Sequence, residues 1–363
     1  MHSLFRSWVP HQYPKPKIQQ NATQVRRGYV WTNGTIALLH IRDLFGDWWV
    51  RSAMKLHTLM RRYGTEAAAR RWFEEARWPD GPICPRCGVM HRSSPLRTRP
   101  GQHTCLDCRH RYSVTSGTAL HNTKLPLQTW LIAMYLITTS SKGVSAMKLS
   151  AWLGVSYKTA WHLGHRIRAM MASEPTLLRG VVELDETYVG GKPRKVHREK
   201  LLPKAQRPKR KQGRATDKAC VFVAVERGGR VIPQLVPSHT KGALGGAVRA
   251  SVHKDAILVT DELPAYTSVG REYAGHHRVR HSDDEFARTD GDLRVHVNTA
   301  ESFNAMLKRG IVGVFHYVSK KHLHRYAAET AFRWNERAGA VLENLALMVR
   351  FSRAPLAYGT LVA

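Results

Sequence analysis

Two β-branched apolar runs in the second half of this chain each end on an aspartate. VVELDETYVGGK carries Asp185 and AILVTDELPAY carries Asp261. Runs of this kind make buried strands. A third acidic position, Glu301, lies in HVNTAESFNAMLKRG, where helical spacing brings Asn298, Glu301, Ser302 and Lys308 near one face. A strand, a basic loop, two more strands (ACVFVAVER and RVIPQLVPS), a helical stretch, the strand of Asp261 and then helices follow in order from Val181. That order predicts a mixed α/β domain with a central sheet and flanking helices. In it Asp185, Asp261 and Glu301 converge if the first and later strands pair. Converging carboxylates hold hard divalent cations for chemistry on phosphates. Taken singly, an aspartate ending a strand is more often a turn or helix cap, and a Glu–Lys pair on a helix is usually solvated.

The charge balance points to the substrate. Lys and Arg total 57 against 27 Asp and Glu, a formal charge of +30 over 363 residues. A compact fold with that excess calls for a polyanion, and nucleic acid is the first candidate. No apolar run of about 18 residues is present, so no membrane span is expected. The N-terminus lacks an apolar signal core, and a cytoplasmic protein is expected.

Four of the five cysteines fall in CPRCG at 84–88 and CLDC at 105–108. Paired CxxC knuckles across a hydrophilic loop match a four-thiolate zinc site made by Cys84, Cys87, Cys105 and Cys108. Four thiolates leave no open coordination position, so the Zn²⁺ is expected to be structural. Cys220 stands alone in an apolar strand and reads as core. Before the knuckles, Thr65 is expected to cap a helix running from Glu66 to Arg77, with Ala68, Ala69, Trp72, Phe73 and Ala76 on one stripe.

Residues 126–172 are helical in pattern and include a helix-turn-helix layout. Ala146, Leu149 and Leu153 build one helix, Gly154 makes the turn and Ser156 caps a second helix. Lys158, Thr159, His162, Arg166 and Arg168 lie on that second helix, which could enter a major groove. An ordinary helical hairpin in a core is the plainer alternative. Residues 192–218 are basic and rich in Pro and Gly, and read as a loop clamping a DNA backbone. Residues 1–53 show no sustained period and read as a flexible extension or an upstream start, with Met54 and Met60 as other starts.

RWPDGPICPRCG, the second CxxC, LDETYVGGK, VTDELPAY and the block from VNTAESFNAMLKRG to FRWNER, in that order, resemble the DDE transposases of bacterial insertion sequences. The resemblance is to the ISXO2-like group with an N-terminal zinc ribbon and runs from about residue 62 to about 345. It implies a ribonuclease H-like catalytic domain at 176–345, after a helix and zinc ribbon at 54–120 and a helix-turn-helix region at 121–175. A tail at 346–363 would follow. It implies Asp185 and Asp261 as the two catalytic aspartates and Lys308 as the trailing lysine. The family writes its third position as Asn or Glu; the seven-residue spacing to Lys308 favours Glu301, with Asn298 kept as a site residue. Catalytic Mg²⁺ (or Mn²⁺) on Asp185, Asp261 and Glu301, cleavage at transposon ends, strand transfer and a homo-oligomeric complex on nucleoid DNA are further implications. A zinc-ribbon and helix-turn-helix regulator, an inactive transposase copy and a plain structure-specific nuclease are the competing readings.

Overall fold

The computed structural model describes residues 29–32, 35–38, 54–172, 176–190, 202–203, 206, 218–352 and 354–363. Most of the basic stretch at 192–218 lies outside the described residues, as does most of 1–53. The chain divides into two compact units, Met1–Val50 and Arg51–Ala363. In the first, β1 (Tyr29–Thr32) and β2 (Thr35–Leu38) pair antiparallel, with Thr32 opposite Thr35. This hairpin was not expected from the aperiodic composition of the segment.

The second unit begins with α1 (Leu56–Arg62) and α2 (Glu66–Arg77). Thr65 caps α2 as expected, its side chain accepting from the Ala68 N–H at 3.2 Å. Trp72, Phe73 and Ala76 point into a core shared with a small antiparallel sheet of β3 (Ser93–Pro95), β4 (Gln102–Cys105) and β5 (Arg111–Ser113). The Arg77 guanidinium ties α2 to that sheet by donating to the carbonyls of Val114 at 2.6 Å and Ser116 at 2.9 Å. Next come α3 (Leu127–Thr139), α4 (Ala146–Leu153) and α5 (Tyr157–Met170). Gly154 closes α4 in the left-handed region, at φ 64°, where a residue without Cβ is unstrained. Ser156 then caps α5.

A five-stranded mixed sheet makes up the rest of the core. Its strands are β6 (Val181–Val189), β7 (Ala219–Glu226), β8 (Val231–Val236), β9 (Ile257–Thr260) and β10 (Gly275–Arg278), in spatial order β10-β9-β6-β7-β8. The pairs β6–β7 and β7–β8 are antiparallel, while β6–β9 and β9–β10 are parallel. A parallel neighbour requires a crossover, and α6 (Lys241–Ser251) supplies it before β9, with α7 (Ala265–Gly270) after. Both helices cover one face, where Val182, Leu184, Phe222, Leu244, Val248 and Tyr266 are buried together.

The hairpin of β11 (Arg288–Asp290) and β12 (Leu293–Val295) leads into α8 (Asn298–Gly310), then α9 (Lys320–Asn335). These two helices cover the opposite face, burying Val221, Val223, Val225, Ala300, Phe303 and Leu307. Strand alternation therefore sorts β6 and β7 residue by residue between two helical layers. Finally α10 (Val341–Arg350) returns to the N-terminal helices, with Leu345, Met348 and Val349 in their core, and α11 (Tyr358–Val362) ends the chain. Residues 346–350 thus lie within a packed helix rather than in a tail, because their apolar stripe has a partner surface to cover. Among the described residues no helix is long and apolar enough to cross a membrane.

Candidate functional site

β6 carries the centre of the site. Its register with β9 pairs Leu184 with Thr260, the last residue of β9. One step further, Asp185 and Asp261 are neighbours across two parallel strands, whose spacing is about 4.8 Å. The Asp261 carboxylate folds back to accept the Leu263 N–H at 3.0 Å, so it also turns the chain after the strand.

Asp185 lies on the face covered by α8. Its Oδ2 accepts from Asn304 Nδ2 at 2.8 Å and its Oδ1 from the Glu186 N–H at 2.7 Å. Loss of water around its carboxyl pushes its pKa up to about 6. The two hydrogen bonds oppose that rise, and the negative charges of Asp261 and Glu301 add to it. Asp261 and Glu301 are thus each within electrostatic reach of Asp185. Among the described residues, the group of three or more His, Cys, Asp or Glu placed to hold a metal ion is the four cysteines; the three acidic residues do not form such a group.

Glu301 is exposed in the first turn of α8, and Asn298 is exposed at its first position with its carbonyl accepting from Ser302 Oγ at 2.8 Å. Lys308, two turns later, is also exposed.

Two residues that sequence reasoning missed place this helix. Glu183, fully buried, sits two residues before Asp185 and so on the same face of β6. Its carboxylate accepts from the N–H groups of Thr299 at 2.8 Å and Ala300 at 3.1 Å and from Thr299 Oγ1 at 3.0 Å. The N-terminus of α8 has no side-chain cap of its own, and Glu183 fills that role from the neighbouring strand. Arg227 Nε, 2.8 Å away, neutralises it. The other is Asn304, buried within α8, with its amide on Asp185 and its Oδ1 without a hydrogen-bond partner. A charged residue inside VVELD, in phase with Asp185, was the available signal for Glu183. Nothing in the sequence singles out Asn304.

The four cysteines form the second site. Their sulfurs all lie within 4.8 Å of one another, with Cys84–Cys108 and Cys87–Cys105 each at 3.6 Å. A tetrahedron with Zn–S bonds of about 2.3 Å puts its sulfurs about 3.8 Å apart, so the donor set fits zinc. Each knuckle turns through a left-handed residue just after its second cysteine, Gly88 at φ 75° and Arg109 at φ 55°. Cys220 is buried in β7, the core position expected for it.

The two-helix unit has its expected outline, but its side chains divide differently. Lys158 is exposed, its ammonium 4.4 Å from the Tyr358 ring centre, and Thr159 is half-buried. His162 is half-buried, with Nε2 2.9 Å from the Leu356 carbonyl. Arg166 does not face solvent. It is buried against Trp130 and donates to the carbonyls of Ala119 and His121, so the expectation of a DNA contact there is corrected. Arg168 is likewise buried, its Nε 2.5 Å from Glu329 on α9. The second half of α5 is enclosed on all sides, which consumes the donors that a linear reading assigns to a groove.

Residues 177–335 match the ISXO2-like transposase domain, and residues 64–111 match a transposase zinc-ribbon domain. A relative from Halobacterium salinarum, described as an uncharacterized protein in transposable element ISH50, is 32% identical over 280 residues. That match covers 74% of this chain and 90% of the relative. No solved structure matches the chain.

Proposed function

The chain belongs to the ISXO2-like transposase family, and on that premise we propose that it binds the ends of its own insertion sequence and cuts and joins DNA with Mg²⁺ (or Mn²⁺). What supports this reading most is that Asp185 on β6 and Asp261 just beyond β9 stand on adjacent parallel strands, with Glu301 on the covering helix α8 and both Asp261 and Glu301 acting electrostatically on Asp185. The strand order, three antiparallel strands followed by two parallel to the first, supports a ribonuclease H-like catalytic domain.

Asp185, Asp261 and Glu301 are the residues that would hold the catalytic ions, with Asn298 as a further oxygen donor at the same end of α8. Carboxylate oxygens are the hard donors that such ions prefer. When bound, a pair of divalent ions activates the attacking hydroxyl and stabilises the departing oxygen. The chain's own part is positional. Asn304 and the Glu186 N–H fix the rotamer of Asp185, Glu183 fixes the start of α8, and Lys308 offers a cation to a phosphate two turns from Glu301.

The zinc ribbon, Lys158 and Thr159 supply DNA contacts outside this centre, and the net charge of +30 adds backbone affinity that weakens with salt. Acting on two ends at once calls for more than one copy, so the working complex is a homo-oligomer.

The test is cleavage and joining of labelled DNA carrying the element's own ends, with Mg²⁺ or EDTA, by the wild type and Asp261→Asn. Metal-dependent nicking and joining, lost in the variant, is the expected result. Binding without cleavage by the wild type would instead favour a regulator or an inactive copy, and nicking without joining a plain nuclease.

A further inference from the structure

The turn that follows α8 is built at a conformational cost. Residues Ile311–Phe315 widen into a π-helical turn, and His316 then adopts φ 58° and ψ −42°. The Tyr317 N–H donates to the Phe315 carbonyl at 2.6 Å across it. This is a γ-turn of the rarer, positive-φ kind, strained for any residue with a Cβ. His316 Nδ1, 3.1 Å from the Val312 carbonyl, holds the turn closed. π-turns and strained single residues of this sort gather at ligand sites, where surrounding structure over-determines them.

The turn holds two large apolar side chains in solvent, Val312 and Tyr317, each 71% exposed. Together with Tyr188 at the end of β6, Lys218 before β7, Lys308 and His316, they wall a pocket of about 370 Å³. The described residues lining it include two tyrosines, two lysines and a histidine but no carboxylate. Aromatic faces and apolar walls with cations at hand suit a ligand that is both flat and anionic. A nucleotide is such a ligand, and the volume lies within the range of sites that enclose small molecules.

Position narrows the choice. Lys308 belongs to this pocket and lies seven residues beyond Glu301 on the same helix, roughly 10 Å along its axis. A DNA strand crossing the carboxylates would reach the pocket a nucleotide or two from the cleaved bond. From these observations we propose that the pocket receives one nucleotide lifted out of the stack beside the scissile phosphate. Its base stacks on Tyr317 and its phosphate lies between Lys308 and Lys218. This rests on the transposase reading above and adds a site to it. Lifting a base out costs a few kcal/mol, which stacking on an aromatic ring offsets.

The experiment uses the full-length protein and duplexes bearing the element's terminal repeat and flank. 2-Aminopurine is placed in turn at each nucleotide around the cleaved bond, with Ca²⁺ in place of Mg²⁺ so that binding is read without cutting. One position is expected to change fluorescence several-fold on binding. Tyr317→Ala abolishes that change, and Tyr317→Phe retains it. In Mg²⁺, Tyr317→Ala is expected to cut the intact duplex about tenfold more slowly, and an abasic site at the responding position recovers most of the loss. Tyr317 is exposed, so the substitution leaves the core intact. If the wild type shifts and cuts the duplex while no position responds and Tyr317→Ala cuts at the wild-type rate, the pocket proposal is overturned and the transposase reading stands. If the wild type fails to bind the duplex at all, that reading falls and the pocket proposal falls with it.

Discussion

The side-chain amide of Asn304 donates to Asp185 Oδ2 at 2.8 Å, linking the covering helix to the central strand at the site itself. This hydrogen bond holds the Asp185 carboxyl lower than burial alone would leave it. Asn304→Ala is therefore expected to raise the Asp185 pKa further and to move the acid limb of cleavage toward higher pH. The same variant loses a rotamer constraint on Asp185, the proposed ligand, so the rate at the plateau is expected to fall as well, on the order of tenfold to a hundredfold. A pH–rate profile separates the two effects. An unchanged acid limb in Asn304→Ala would show that this bond does not govern the ionisation of Asp185.

Ionisation of Asp185 couples to stability with a definite sign. Its carboxyl is raised from 3.8 to about 6 in the folded state, so the fold binds a proton that the unfolded chain releases. Stability from this group is fully present below about pH 4 and is lost as pH rises through about 6. Two pKa units correspond to at most about 3 kcal/mol, and less after solvent screening. Divalent ions need the ionised form, so Mn²⁺ should raise the melting temperature more at about pH 8 than at about pH 5. Asp185→Asn is expected to remove that difference. Equal stabilisation of the wild type at both pH values would contradict the assignment of Asp185 as a ligand.

Zinc loss should be felt beyond the ribbon. Cys84 and Cys105 are buried in the same core as Trp72, Phe73, Trp78 and Tyr112, which continues into α3, α5 and α10. Cys108→Ser is expected to release zinc and to loosen that whole N-terminal core, while the layers around the five-stranded sheet stay protected. Hydrogen exchange resolves this. Protection lost uniformly across both cores would show that zinc supports the sheet too.

Local signals in the sequence translate directly into structure here. Thr65 and Ser156 cap the helices that their positions predict, because a hydroxyl before an apolar stripe satisfies N–H groups wherever the helix packs. The runs ending at Asp185 and Asp261 form strands, and their pairing in parallel makes the two aspartates neighbours. Relations set by packing were not legible. Arg166 and Arg168 read as groove contacts because nothing in a linear pattern shows that Trp130 packs against the first and Glu329 pairs with the second, from different sides of α5. The docking of α10 against helices almost three hundred residues earlier is equally invisible to a local reading. The contacts by which Glu183 and Asn304 join β6 to α8 depend on how that helix packs on the strand, which spacing does not encode.

Glu183 provides the sharpest separation of positioning from chemistry. Its buried carboxylate holds the first N–H groups of α8 and is paired with Arg227 Nε, while His296 Nδ1 lies 3.3 Å away. Glu183→Ala leaves Arg227 without its buried partner and α8 without its cap. Removing one member of a buried pair costs about 3–5 kcal/mol, so this variant is expected to lose much of the stability of the domain. Glu183→Gln keeps one acceptor oxygen for the helix N-terminus but removes the charge. It should fold, bind DNA as the wild type does, and cut more slowly because Glu301 is no longer held to one place. Denaturant melts and salt-dependent gel shifts beside cleavage rates make the comparison. Full cleavage by Glu183→Gln would mean that α8 is placed by its apolar contacts, Ala300, Phe303 and Leu307, without help from the cap.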